Sequence, residues 1–228
     1  MSAVAGIAPV SGRERGDASG YEKERKGKRI LGMDYCKEVF ENYLGIHDPE
    51  CLEIVRANSR VRRFLRREVL LREGDIQTEI PFQISGSHWC YYIDEAGKQR
   101  MECLASEKYF PMTPLSDLKD FGRPSPVYME TLEETEAYCV PLDAMVEILT
   151  RFPEAQQAMG WLLSRSLELH RLYHRWTGLP NVERYRCFRE NFPELERLRK
   201  CDVAAVLDMS PSALSKVLKA VSEANESE

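Results

Sequence analysis

Val203–Leu218, VAAVLDMSPSALSKVL, reads as a helix, a tight turn and a second helix. Ala204, Leu207, Met209, Leu214 and Val217 fall where two crossed helices need one small residue and four apolar ones. The small residue lets the backbones approach, and the others fill the shared core. Ser210 followed by Pro211 supplies an N-cap and a proline at the first helical position, which defines the start of the second helix. Ser210, Ser212, Ala213, Ser215, Lys216 and Lys219 then lie on or near the outward face, where short polar groups and lysines can approach base edges and phosphates in a major groove. Asp208 stands where a glycine would ease the turn, and Asp tolerates a left-handed backbone better than most residues. The expectation is a DNA-reading helix-turn-helix; the bland alternative is a helical hairpin closing a small subdomain.

At 228 residues, 43% hydrophobic and 30% charged, the chain is long enough for one large domain or two smaller ones with a proper core. No apolar run approaches the roughly 20 residues of a membrane span, and the N-terminus lacks the basic and apolar regions of a secretory signal. The seven cysteines are odd in number and form no CxxC, which suits reduced thiols in a cytoplasmic protein and gives little spacing support for zinc or iron–sulfur ligation. The net charge of −5 hides a division: residues 94–154 carry 13 acidic and 6 basic side chains, whereas 181–220 carry 8 basic and 6 acidic ones. Local rather than total charge matters to a protein that meets phosphates with one face.

Residues 1–28 are Gly-, Ala-, Ser- and charge-rich without periodicity, and a disordered tail is expected there. Residues 34–44 and 48–64 read as two helices, the second capped by Asp48 with Pro49 following. Arginines 56, 60, 62, 63, 66 and 67 read as a solvated helix face leading into a strand rather than a nucleic-acid patch. From Glu68 to Pro141 short β-rich runs alternate with turn signals, as in a barrel or sandwich. Residues 108–126, with four prolines and a glycine, form a structured loop within it. A helix begins at Leu142, and Glu154–Thr177 is a long amphipathic helix. Trp161, Leu162, Leu169, Leu172 and Trp176 lie on its apolar stripe, which is expected to pair with a twin in a homodimer. Gly178 and Pro180 close it.

The order of short helices, β-barrel, long helix and terminal helix-turn-helix resembles the Crp/Fnr superfamily of transcription regulators. Residues 70–75 (LLREGD) and 84–86 (ISG) look like glycine turns of that family's cyclic-nucleotide-binding-type barrel, and 94–98 (DEAGK) like its strand-connecting hairpin. Pro180 through Arg186 and 191–195 (NFPEL) are similar to the segment that precedes the family's reading motif. The resemblance runs from about Tyr35 to Ala220. It implies an α+β architecture: an N-terminal double-stranded β-helix or jelly-roll barrel (29–148), a dimerisation helix (149–178) and an all-α helix-turn-helix domain (179–228). It further implies a homodimer on double-stranded DNA, a near-palindromic site, and RNA polymerase as a further candidate partner.

Two departures qualify it. Family members that bind cyclic AMP carry a Gly-Glu pair and an arginine on the cyclic phosphate. Here the corresponding stretch is Tyr109, Phe110, Pro111, Met112 and Thr113, with Arg123 flanked by prolines that supply no N–H. Cyclic AMP is therefore not expected, and an unknown small molecule would be the effector, with Tyr109, Phe110, Met112, Thr113 and Arg123 as its candidate contacts. Only AVSEANESE follows Lys219, so no β-hairpin wing is expected after the motif. Phosphate contacts would fall to Lys216, Lys219, Arg184, Arg186 and Arg199. Two other readings stand beside this one. One is a ligand-binding or interaction protein whose helix-turn-helix no longer reads DNA; the other is a haem or metal sensor using His88, His170 or His174. Neither haem nor an iron–sulfur cluster nor a catalytic site is expected from the residue spacings.

Overall fold

The computed structural model describes residues 33–114 and 122–225. The expected tail over 1–28 and residues 115–121 of the expected loop lie outside them. Tyr35–Glu228 forms one compact unit.

A π-helical turn over Lys37–Tyr43 leads to α1, Pro49–Asn58, where the Asp48 carboxylate accepts the Glu50 and Cys51 N–H groups at 3.0 Å each. The helix read through Phe64 stops earlier. Ser59 turns extended, and Arg60–Phe64 is strand β1. Its arginines have carboxylates waiting in the extended conformation: Arg60 and Arg62 both pair with Glu79, and Arg63 with Glu136. Three arginines of the basic run are thus spent on carboxylates of neighbouring strands.

β2 (Val69–Leu71), β3 (Glu79–Ser85), β4 (His88–Ile93), β5 (Gln99–Ala105), β6 (Tyr128–Thr131) and β7 (Thr135–Pro141) follow as the β-rich composition predicts. They form two antiparallel sheets, ordered β1-β7-β3 and β2-β6-β4-β5. Two sheets around a shared core are the double-stranded, jelly-roll-type arrangement expected, and no closed barrel forms among the described residues. Prolines explain the gap: elsewhere pairing shrinks to single bridges at Phe82–Pro111 and Ile76–Pro124, where a residue without N–H cannot extend a ladder. Phe64, Leu71, Cys90, Met112, Met129 and Cys139 share one buried cluster within this β-rich part.

Gly86 turns β3 into β4 at φ +97°, where a Cβ would lie 2.3 Å from Thr135 Oγ1 and 2.8 Å from the Glu134 carbonyl. Gly86→Ala therefore meets backbone and strain together, and a loss of roughly 3 kcal/mol is expected in urea unfolding. Beside it, His88 is fully buried with Nδ1 2.9 Å from Gln83 Oε1, and burial pushes its pKa down to about 3. The folded state keeps this imidazole neutral while the unfolded chain protonates it below about pH 6.5. Stability should fall by roughly 1.4 kcal/mol per pH unit as pH drops from 6.5 towards 3. Urea midpoints from pH 7 to 5 check this, and His88→Gln should flatten the slope.

Against β3 and β7 pack α1 and α2 (Leu142–Arg151), burying Phe40, Val55, Ile80, Phe82 and Ile148. The long α3, Pro153–Thr177, matches the predicted helix. After it come α4 (Asn181–Asn191), a 3-10 turn (Pro193–Arg197), α5 (Lys200–Val206) and α6 (Pro211–Asn225). Trp89, Leu104 and Leu132 of the β-sheet region share one buried cluster with Tyr173, Trp176, Phe188, Phe192, Leu207 and Leu214. The C-terminal helices thus have no core separate from the sheet.

Candidate nucleic-acid interface

The first helix of the motif is short, and the turn after it is tight. Asp208 adopts φ +51°, the left-handed conformation that its position predicts. The turn closes through Met209 N–H to the Ala204 carbonyl at 2.8 Å and Asp208 N–H to the Ala205 carbonyl at 3.1 Å. Ser210 Oγ accepts the Ala213 N–H at 3.1 Å, so α6 begins under the cap read from Ser-Pro. Leu214, Val217 and Val221 are buried with Ala204, Val206 and Leu207, fixing α6 across α5. Of the five packing positions read from the sequence, four are buried and Met209 is half-buried.

The other face of α6 carries Ser212, Ser215, Lys216 and Lys219, all exposed, with Ala213 half-buried beside them. Spacings of three and four put Ser212, Ser215, Lys216 and Lys219 on one side of the helix. Lys219 lies 3.7 Å from Glu223, an exposed pair of small energetic weight. Arg186 and Arg199 are exposed as well. Arg184 is not available to a phosphate: its Nη1 donates to the Leu207 carbonyl at 2.8 Å, and its Nη2 to those of Thr177 and Leu179 at 3.0 Å. It staples the end of α3 to the end of α5.

The motif is also tied to the sheet by charge, which the sequence did not reveal. Asp202, fully buried in the first turn of α5, is paired with both Arg66 and Arg67. Arg67, itself at φ +63°, also bonds Glu130, which accepts from the Tyr91 hydroxyl at 3.3 Å. Arg100 pairs with Asp208 of the turn, and Arg197 with Glu133.

The candidate effector residues separate. Phe110 and Thr113 line a cavity of about 20 Å³ between β5 and α3, together with Glu102, Cys103, His170 and Tyr173. That is room for about one water. Met112 is buried between the sheets, and Tyr109 packs edge-on against Tyr43. Arg123 is exposed beside Pro124, whose bridge partner Ile76 lines a more polar cleft of about 320 Å³. Among the described residues of this stretch, the Tyr109 N–H donates to the Gln83 carbonyl, the Phe110 N–H to that of Glu107, and the Met112 N–H to that of Pro81. Pro111 has none.

The proposed dimer stripe also divides. Leu162 and Trp176 are buried within the chain, and Leu169 and Leu172 are half-buried. Trp161 is 45% exposed and rests edge-on against Tyr43. The open side of α3 runs through Gln157, Gly160, Ser164, Leu167, Arg171 and His174. His170 and His174 stack at 6.4 Å, and among the described residues no three His, Cys, Asp or Glu side chains converge as a metal site. No helix among them is long and apolar enough to cross a membrane.

The architecture is that of Crp/Fnr transcription regulators. FixK2 of Bradyrhizobium japonicum superposes with a TM-score of 0.62 at 11% identity, covering 73% of this chain and 86% of its own. The c-di-GMP responsive global regulator CLP of Xanthomonas campestris gives 0.61 at 19% identity, covering 78% and 93%. A structure described as a transcriptional regulator of the Crp/Fnr family from Eubacterium rectale gives 0.61 at 11%, covering 76% and 82%. No protein-family model matches the sequence, and no curated protein matches it significantly.

Proposed function

We propose that this chain is a cytoplasmic, homodimeric, DNA-binding transcription regulator of the Crp/Fnr type. The observation that carries the reading is α6: capped by Ser210, packed on α5 through Leu214 and Val217, and presenting Ser212, Ser215, Lys216 and Lys219 to solvent. Arg186 and Arg199 are the further phosphate contacts, with Arg184 as their scaffold. The sensor, dimerisation and reading parts are residues 29–148, 149–178 and 179–228.

Dimerisation uses the open stripe of α3, where Gly160 and Ser164 let a second helix approach and Trp161 and Leu167 supply apolar area. A two-fold pair of α6 helices then meets half-sites about one helical turn apart. The effector is a small molecule other than cyclic AMP, held between the β-sheet and α3 near Phe110 and Thr113. The 20 Å³ cavity there must open to admit it, so binding favours a second arrangement of α3 and the reading helices. Immunoprecipitation of the protein with its DNA from the cell that makes it tests the reading with any effector present. Discrete peaks sharing a two-fold motif are expected; uniform coverage would shift the reading to an interaction protein.

A further inference from the structure

Strands β4 and β5 set two cysteines directly opposite one another: Cys90 is the ladder partner of Cys103, beside the bulge at Cys90/Tyr91. Opposed residues of an antiparallel pair project to the same face with Cα atoms about 4.5 to 5.5 Å apart. A disulfide needs Cα atoms roughly 4.4 to 6.8 Å apart, so the ladder already supplies the spacing. Both side chains pack against the cluster that holds Phe64, Met112 and Met129. Tyr173 lines the same cavity as Cys103, and burial raises its phenol.

The two are not equivalent. Cys90 is fully buried, whereas Cys103 is half-buried and lines the 20 Å³ cavity against α3. That cavity admits a molecule of about water size, the size class of hydrogen peroxide. Cys51 and Cys139, whose thiols burial pushes up to about 11 and about 12, do not line that cavity.

We propose that Cys103 and Cys90 form a reversible dithiol–disulfide site, in which a hydroperoxide oxidises Cys103 and Cys90 resolves it. The Cys103 thiolate attacks one peroxide oxygen, the O–O bond breaks, and hydroxide leaves as water on taking a proton. The Cys90 sulfur then attacks the Cys103 sulfenic sulfur; the S–S bond forms, the S–O bond breaks, and a second water leaves. Two thiols are oxidised and one peroxide is reduced to two waters. The bond would form next to Leu104, whose carbonyl accepts the Tyr173 hydroxyl of α3, so oxidation is felt where the sheet meets that helix. None of this depends on DNA binding.

The test uses the full chain, reduced, desalted, exposed to equimolar hydrogen peroxide and alkylated in denaturant. Arg100 lies between the two cysteines, so trypsin places them on separate peptides and a disulfide appears as a linked pair that dithiothreitol splits. The seven alkylatable thiols should fall to five, with Cys90 and Cys103 the pair lost. Cys90→Ala should leave Cys103 as a sulfenic acid that dimedone traps. Seven thiols remaining, or oxidation confined to the exposed Cys201, would overturn the proposal, as would Cys103 passing to sulfinic acid in the native chain without a linked peptide.

Discussion

Replacing Asp202 with alanine is expected to cost about 3 to 5 kcal/mol, because it removes one partner of a buried ionic cluster and strands the others. The carboxylate is fully buried, while Arg66 and Arg67 retain 27% and 33% of their side-chain exposure. Arg67 keeps Glu130 when Asp202 is gone, which places the loss towards the lower end. Arg66 has no second carboxylate among the described residues. Asp202→Asn retains one acceptor oxygen and should fall between the two proteins. Combining Asp202→Ala with Arg66→Ala should recover part of the deficit, since the stranded cation is then removed too. Urea unfolding measures all four proteins. A single-variant loss below about 1 kcal/mol would place Asp202 among exposed, weakly coupled charges. The effect should also be local: α5 and α6 share their core with the sheet, so loosening α5 exposes Leu104 and Leu132 to solvent. Faster amide exchange in α5 and α6 than in β3 and β7 is the expected signature.

Ser212→Glu together with Lys216→Glu should lower specific DNA affinity about a thousand-fold or more while leaving the fold intact. Both side chains are exposed on the outward face of α6. Ser212 shares a hydroxyl contact with Ser210 at 3.0 Å, but the cap itself is Ser210 accepting the Ala213 N–H. A carboxylate in the first turn of a helix is stabilising by a few tenths of a kcal/mol or so, so the melting temperature should hold or rise slightly. On the DNA side the change replaces one cation and one neutral donor with two anions facing phosphates. Gel shift and calorimetric melting, run on the same preparation, separate lost binding from lost structure. Undiminished binding would show that α6 is not the reading helix.

The motif was the most legible part of the sequence because its signals are local. Ser210 and Pro211 cap and start a helix by their own chemistry, and Asp208 adopts φ +51° because a turn of that length requires it. The β-rich middle was legible from composition and turn residues, and the long helix from its period. Arg60–Phe64 was misread as helix: arginine suits helices, and the carboxylates that reward extension, Glu79 and Glu136, are distant in the chain. Pairing between the sheets shrinks to single bridges at prolines 111 and 124, whose effect depends on which strand lies alongside. Arg184 looked like a phosphate contact because charge is visible in a sequence and the three carbonyls that consume it are not. Amphipathicity alone points Leu162 and Trp176 at a partner helix. The sheet and the C-terminal helices claim them first. The Arg66–Asp202–Arg67 cluster joins residues some 135 positions apart, and no spacing rule reaches that far.

Selection from a random duplex DNA pool, with the native chain and the Ser212→Glu/Lys216→Glu chain run in parallel, decides whether α6 reads DNA. The native chain is expected to enrich a near-palindrome whose half-sites lie about one helical turn apart, and the variant to enrich nothing. Equal enrichment by both chains, or DNA capture by the native chain that fades with salt and carries no sequence preference, would contradict the assignment of α6 as the element that reads DNA.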